Sequence, residues 1–263
     1  MRYKNFDGPI EELIQIKLKE IEEKEQVTIL HTIESGSRAW GFASPDSDYD
    51  VRFIYVRPME YYLSLETKKD FIDWELDETL DMNGWDLSKA LKHFHKSNAT
   101  LFEWANSPVV YQTTTWWKEI MAVAENYFSC KASMYHYYGT AKKNASEYLT
   151  GEMVSYKKYF YVLRPILACK WIEQKKCPPP VLFQSLVDGV LEDKMKAPIE
   201  ALVKKKMIMV EAQKGERIDR IDDYIAEKLL YYKQKLNSME DDREGDWEKL
   251  NQVFLAMLKK DFL

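Results

Sequence analysis

Residues 35–50 read S-G-S-R-A-W-G-F-A-S-P-D-S-D-Y-D, from Ser35 to Asp50. An apolar run, Val27-Thr28-Ile29-Leu30, precedes them, and a second, Val51-Arg52-Phe53-Ile54-Tyr55-Val56, follows. The pattern is a strand, a glycine turn, a short polar segment, and a strand opened by two carboxylates. Residues i and i+2 of a strand share a face. Asp48 and Asp50 therefore stand side by side, with Tyr49 turned to the core. Two neighbouring carboxylates repel each other unless a cation lies between them. Hard divalent ions such as Mg²⁺ take oxygen ligands and often keep phosphates as further ligands. Gly36 lets backbone N–H groups approach an anion, and Ser37 adds a hydroxyl donor. A helix starting just after the turn would favour a phosphate at its N-terminus, and Arg38 could pair with a triphosphate tail. The same composition also suits a plain solvated turn, since Ser, Pro and Asp are turn formers. Gly36-Ser37 placed ten residues ahead of Asp48, with apolar runs on both sides, argues for the site.

This stretch resembles the signature of the DNA polymerase β-type nucleotidyltransferase superfamily. Its wording through Val56 is closer still to the YcgL-like branch of predicted nucleotidyltransferases, which includes RNA-ligase-associated ones. Further text is similar to that branch: Gly84 to Leu91, Lys96-Ser97-Asn98, Glu103-Trp104, and Lys157 to Pro165. The resemblance implies an Mg²⁺- or Mn²⁺-dependent enzyme that moves a nucleoside monophosphate from a nucleoside triphosphate such as ATP to a hydroxyl, by two-metal-ion phosphoryl transfer. The acceptor it implies is an RNA end or tRNA. It also implies a third carboxylate on a neighbouring strand. Asp81, between Leu80 and Met82, suits that place better than Asp86, whose position before Leu87-Ser88 makes it a good helix N-cap. Asp48, Asp50 and Asp81 are thus the expected catalytic and metal-binding residues. Gly36, Ser37, Arg38, Lys96, Lys157, Lys158 and Arg164 are expected at the nucleotide. In the branch, Lys142, Lys143, Lys157, Lys158 and Arg164 resemble positions facing nucleotide or acceptor. A solvated helix face is the competing reading for each, and for Lys96.

Composition sets bounds on this reading. The chain has 263 residues, 8 Trp and 17 Tyr, enough to bury a sizeable core. A net charge of −5 argues against a protein that coats nucleic acid nonspecifically. Cys130, Cys169 and Cys177 show no metal-ligand spacing and suit reduced thiols in a cytoplasmic protein. No apolar run is long enough to span a membrane, and Glu11 and Glu12 interrupt any secretory signal.

The expected fold class is an α+β nucleotidyltransferase domain over residues 1–106, a small mixed sheet with helices, followed by an all-α domain over 107–263 that covers the active-site cleft. An amphipathic helix is expected over 9–25, with Ile10, Leu13, Ile14, Leu18 and Ile21 on one face. Residues 66–78 read as a loop or hairpin. A helix is expected over 86–106 with a break at Lys96-Ser97-Asn98. His93 and His95, two apart, cannot share a helix face, which makes them poor metal ligands. Beyond residue 107, helical periodicity dominates over 116–128, 131–150, 153–176, 181–210, 219–236 and from Trp247 onward. Two other functions fit the same residues. One is a protein-modifying (AMPylating) nucleotidyltransferase whose acceptor is a protein hydroxyl. The other is a nucleotide-binding sensor with weak turnover.

Overall fold

A computed structural model describes Phe6 and residues 8–43, 47–76, 79–208 and 214–260; of 75–76 and 206–208 it describes the backbone only. The chain forms two compact units, Met1–Tyr127 with Glu244–Leu263, and Phe128–Arg243. This division differs from the boundary expected near residue 107.

The first unit runs α1 (Ile10–Glu25), β1 (Thr28–Glu34), α2 (Gly36–Ala39), β2 (Tyr49–Val56), α3 (Met59–Tyr62), β3 (Phe71–Leu76), β4 (Leu80–Asp86), α4 (Leu87–His95), α5 (Ala99–Ala105), β5 (Val110–Thr113) and α6 (Thr115–Ala124). Its five strands form one mixed sheet in the order β3-β4-β2-β1-β5. β2 and β4 are parallel; the other neighbours are antiparallel. The α+β expectation holds here. The stretch 66–78 supplies an edge strand, β3, and β5 extends the sheet past residue 107.

The i, i+3, i+4 spacing of α1 explains its place. Leu13, Ile14, Leu18 and Ile21 are all buried and pack with Val51, Phe53 and Tyr55, the alternate residues of β2. Burying side chains of this size is worth about 1.5–3 kcal/mol each. Glu11 and Glu12 in the first turn and Lys24 in the last complement the helix dipole. Phe53 lies opposite Gly84 in the β2–β4 register, and a Cβ on Gly84 would meet the Phe53 ring at 2.1 Å. Gly84 is therefore the hole into which Phe53 packs. Since β2 commits its odd residues to α1, its even residues, Asp50 and Arg52 among them, face the opposite side of the sheet.

Asp86 ends β4 and caps α4, accepting a hydrogen bond from the Ser88 N–H at 2.8 Å. The expected break then falls where Ser97 takes a left-handed φ of 53° and Asn98 caps α5. His95 stacks on Trp247 at 3.5 Å and His93 on Trp85 at 4.8 Å, so both are packing residues.

The second unit contains α7 (Cys130–Tyr148), β6 (Met153–Ser155), α8 (Tyr156–Lys175), α9 (Phe183–Val190), α10 (Asp193–Ile208), β7 (Lys214–Glu216) and α11 (Asp219–Ser238). It is helical apart from a two-stranded antiparallel β6–β7 ribbon. α8 is its centre, buried over most of its length and packed on α7, α9, α10 and α11. The last helix, α12 (Glu248–Leu258), belongs to the first unit and packs on α4 and α6.

Candidate active site

The glycine turn and the two strands beside it build the site. β1 ends at Glu34, and the chain turns through Ser35 and Gly36 into the short α2. The Ser35 N–H donates to the Asp50 carbonyl at 2.8 Å, tying the turn to β2. Gly36 has φ +61°, and a Cβ there would lie 2.0 Å from Asp50 Oδ2. Only glycine allows both the left-handed backbone and this approach of the carboxylate.

Asp50 stands opposite Asp81 in the parallel β2–β4 register, so the two carboxylates share a face on adjacent strands. Arg52, two residues past Asp50, closes the group. Its Nη2 donates to Asp50 Oδ1 at 3.0 Å and to Asp81 Oδ2 at 2.7 Å. Its Nη1 donates to the Val51 and Asp81 carbonyls at 3.1 and 2.9 Å. Asp81 Oδ1 is buried with no hydrogen-bond partner among the described residues. Asp48 lies just ahead of β2 and is exposed. Arg38 stacks on the Tyr49 ring at 3.7 Å and donates to the Asp48 and Ser47 carbonyls at 2.9 and 2.6 Å. Here it braces the entry to β2. Ser37 is buried in α2.

Beneath the turn, Glu34 is 1% exposed. One of its oxygens accepts from the Asp50 N–H at 2.8 Å, and the other accepts from the Tyr111 hydroxyl. Burial pushes its carboxyl up to about 7, against the pull of the Tyr111 and Asp50 donors. It joins β1, β2 and β5 at the end of the sheet that carries the carboxylates.

Asp86 sits at the other end of β4. It is 1% exposed and holds both the Ser88 N–H and the Tyr62 hydroxyl, which donates at 2.8 Å. Burial raises its pKa, and its donors pull the other way. Lys96 is the exposed C-cap of α4.

The remaining expected residues belong to the second unit. Lys142 and Lys143 are exposed on α7. Lys157 and Lys158, half-buried, lie in the first turn of α8, with Lys158 over the Tyr148 ring at 3.9 Å. Arg164 is 5% exposed and donates its Nε to the Val181 carbonyl, inside the unit. That burial places it in the interior of the unit.

Two members of the group escaped the sequence reading. Arg52 was within reach of it, because the arithmetic that pairs Asp48 with Asp50 also puts Arg52 on their face. Glu34 left one signal, a lone carboxylate closing an apolar strand immediately before the turn.

In donor type the carboxylates suit a hard divalent ion: every side-chain donor is oxygen, two are in register, and one buried oxygen lacks a partner among the described residues. Among the described residues, no three His, Cys, Asp or Glu groups converge on one point, and Arg52 spans Asp50 and Asp81. An ion ligated by both would take the place of the Arg52 Nη2 bonds.

A mixed sheet whose glycine turn abuts a carboxylate strand, with a further carboxylate on the parallel neighbour, defines a nucleotidyltransferase-like protein of the polymerase β type. The chain belongs to the RNA repair pathway DNA polymerase beta family, whose model matches residues 10–256. It is similar to "Uncharacterized protein YcgL" of Bacillus subtilis (strain 168), with 41% identity over 246 residues, 93% of this chain and 95% of that one. The resemblance read from the Ser35–Asp50 stretch is thereby met. A nucleotidyltransferase-like protein from Exiguobacterium sibiricum 255-15, known from a crystal structure, matches at TM-score 0.30 and 10% identity, over 96% of this chain and 81% of that one. That likeness is too distant to define the fold. Among the described residues, no helix is long and apolar enough to cross a membrane.

Proposed function

We propose that this protein transfers a nucleoside monophosphate from a nucleoside triphosphate to a hydroxyl acceptor, releasing pyrophosphate. The observation that carries the reading is the in-register pair Asp50 and Asp81 beside the Gly36 turn. Family membership supports the class of chemistry, and the family's RNA-repair description favours an RNA end as acceptor. Asp48, Asp50 and Asp81 would hold Mg²⁺ or Mn²⁺. Bound there, the ion would neutralise the triphosphate and lower the pKa of the acceptor hydroxyl.

The chain's own residues would do the rest. The Gly36-Ser37 turn offers backbone N–H groups and a hydroxyl to the phosphates. Lys96 is the cation proposed for the nucleotide. The acceptor oxygen forms a bond to the α-phosphorus as the bond from that phosphorus to the bridging oxygen of pyrophosphate breaks. The hydroxyl proton passes to a carboxylate, for which Asp81 is the candidate because its Oδ1 has no hydrogen-bond partner among the described residues. Catalysis of this kind rests on positioning and charge stabilisation.

The test is calorimetric titration of the four ribonucleoside triphosphates, with and without Mg²⁺, followed by a pyrophosphate-release assay with RNA acceptors. Wild type should bind at least one nucleotide in an Mg²⁺-dependent way. Asp48→Ala/Asp50→Ala and Asp81→Asn should lose this with little change in melting, whereas Asp86→Asn should keep it. Unchanged activity in the double variant would overturn the proposal. A second reading, a nucleotide sensor with weak turnover, draws on the Arg52 bridge across two of the proposed ligands; nucleotide binding without pyrophosphate release would favour it.

A further inference from the structure

Arg52 is placed for more than surface charge. Its side chain is 16% exposed and makes four hydrogen bonds, two to carboxylates and two to backbone carbonyls. A guanidinium keeps its charge at any ordinary pH, and its planar fork fits two carboxylates at once. The i, i+2 geometry of β2 holds it on the face of Asp50, and the parallel register brings Asp81 to the same point.

We propose that Arg52 is an internal counter-cation of the carboxylate pair, and that divalent-ion binding at Asp50 and Asp81 requires its Nη2 to let go. The inference rests on the nucleotidyltransferase reading and adds a competition to it. Without an ion, Arg52 relieves the repulsion between two carboxylates that are 24% and 31% exposed. An arriving ion meets that charge and must displace it, so part of its affinity is spent on the exchange. The Nη1 bonds go to main chain and use no ligand oxygen, so only the Nη2 bonds need break. Arg52 is on this account a positioning residue that weakens ion binding in the empty site. It couples ion occupancy to a local rearrangement on β2.

The experiment titrates Mn²⁺ into wild type and Arg52→Gln in the absence of nucleotide, following free ion by electron paramagnetic resonance. The variant should bind the ion at least about fivefold more tightly, a coupling at the low end of the usual range. In chelator the variant should melt below wild type, and the gap should narrow as Mn²⁺ is added. Should Arg52→Gln fail to fold, the wild type still decides the matter. Its Arg52 guanidinium N–H signal, identified by its loss in Arg52→Lys, should shift as Mg²⁺ saturates. Equal affinities, or a guanidinium signal unmoved at saturation, would overturn the inference and leave the nucleotidyltransferase reading standing, provided nucleotide still binds. Absence of both ion and nucleotide binding in wild type would remove that reading, and the inference with it.

Discussion

At Gly36 the backbone takes a φ of +61°, and the space where a side chain would begin is filled by Asp50 Oδ2. A left-handed alanine alone costs on the order of 1–2 kcal/mol. The 2.0 Å clash with a carboxylate oxygen means that Asp50 must also move. Gly36→Ala should therefore lower stability by roughly 1–3 kcal/mol and cost far more in nucleotide affinity. Ser37→Ala tests the neighbouring hydroxyl and should be milder on both counts. Denaturant midpoints and nucleotide titration on the two variants measure this; full nucleotide affinity in Gly36→Ala would mean that the turn does not position Asp50. At this scale the sequence was informative where periodicity and glycine chemistry speak. It singled out Gly36, Asp48, Asp50 and Asp81, of which the structure sets Gly36, Asp50 and Asp81 together. A basic side chain carries no mark of its partner: Arg38 braces backbone carbonyls, and Arg164 is packed inside its unit. Glu34 could not be weighed without knowing that Tyr111, 77 residues on, lies beside it.

Helices and strands were legible to the extent that their burial is one-sided. α1 and α4 show clean stripes, and both formed as their spacing implied. β3 read only as a loop or hairpin, because an edge strand with exposed and charged residues lacks the apolar alternation of a buried one. The ribbon β6–β7 is three residues a side, too short for any period to show. In the second unit the clearest interaction between elements is ionic. Glu192, between α9 and α10, receives Lys170 of α8 at 2.6 Å and Lys228 of α11 at 2.9 Å on one oxygen, and the Tyr224 hydroxyl at 2.8 Å on the other. Burial pushes its carboxyl up, but the two lysines outweigh this and hold it at about 2. A carboxyl with a folded-state pKa below its unfolded one stabilises the fold above the unfolded value and stops doing so as pH falls through the folded value. The stabilisation from Glu192 should thus be complete above about pH 4.5 and fade toward pH 2. Glu192→Gln should be less stable at neutral pH and lack that part of the acid slope. Denaturant melts of both proteins across the acid range test this; parallel slopes would show that the cluster contributes nothing to acid sensitivity.

The whole chain leaves the first unit after Tyr127 and re-enters it at Glu244. Local pattern cannot reveal this. α12 reads as an amphipathic helix wherever it docks, and the expectation that it belonged to a C-terminal domain followed only from its place in the sequence. Its docking is specific. Leu250 and Met257 are each 1% exposed, and Phe254 meets Tyr62 edge-on at 5.2 Å. Trp247 stacks on His95, the Tyr127 hydroxyl donates to the Asp246 carbonyl at 2.7 Å, and Lys260 pairs with Glu119 at 2.8 Å. Two fully buried apolar side chains are worth about 1.5–3 kcal/mol each, and the exposed ion pair adds little. Removing residues 244–263 should therefore destabilise the sheet-bearing unit by roughly 3–6 kcal/mol, although the deleted segment is distant in sequence from every proposed site residue of that unit. Native-state amide exchange resolves the effect by unit. Amides of α4 and α6 should exchange faster in the truncated protein, and those of α7 and α8 should hold. Leu250→Ala/Met257→Ala should show the same polarity at smaller amplitude, which separates lost packing from the loss of a segment. Exchange that accelerated in α7 and α8 while α4 and α6 kept their protection would assign α12 to the other unit and reverse the division of the chain.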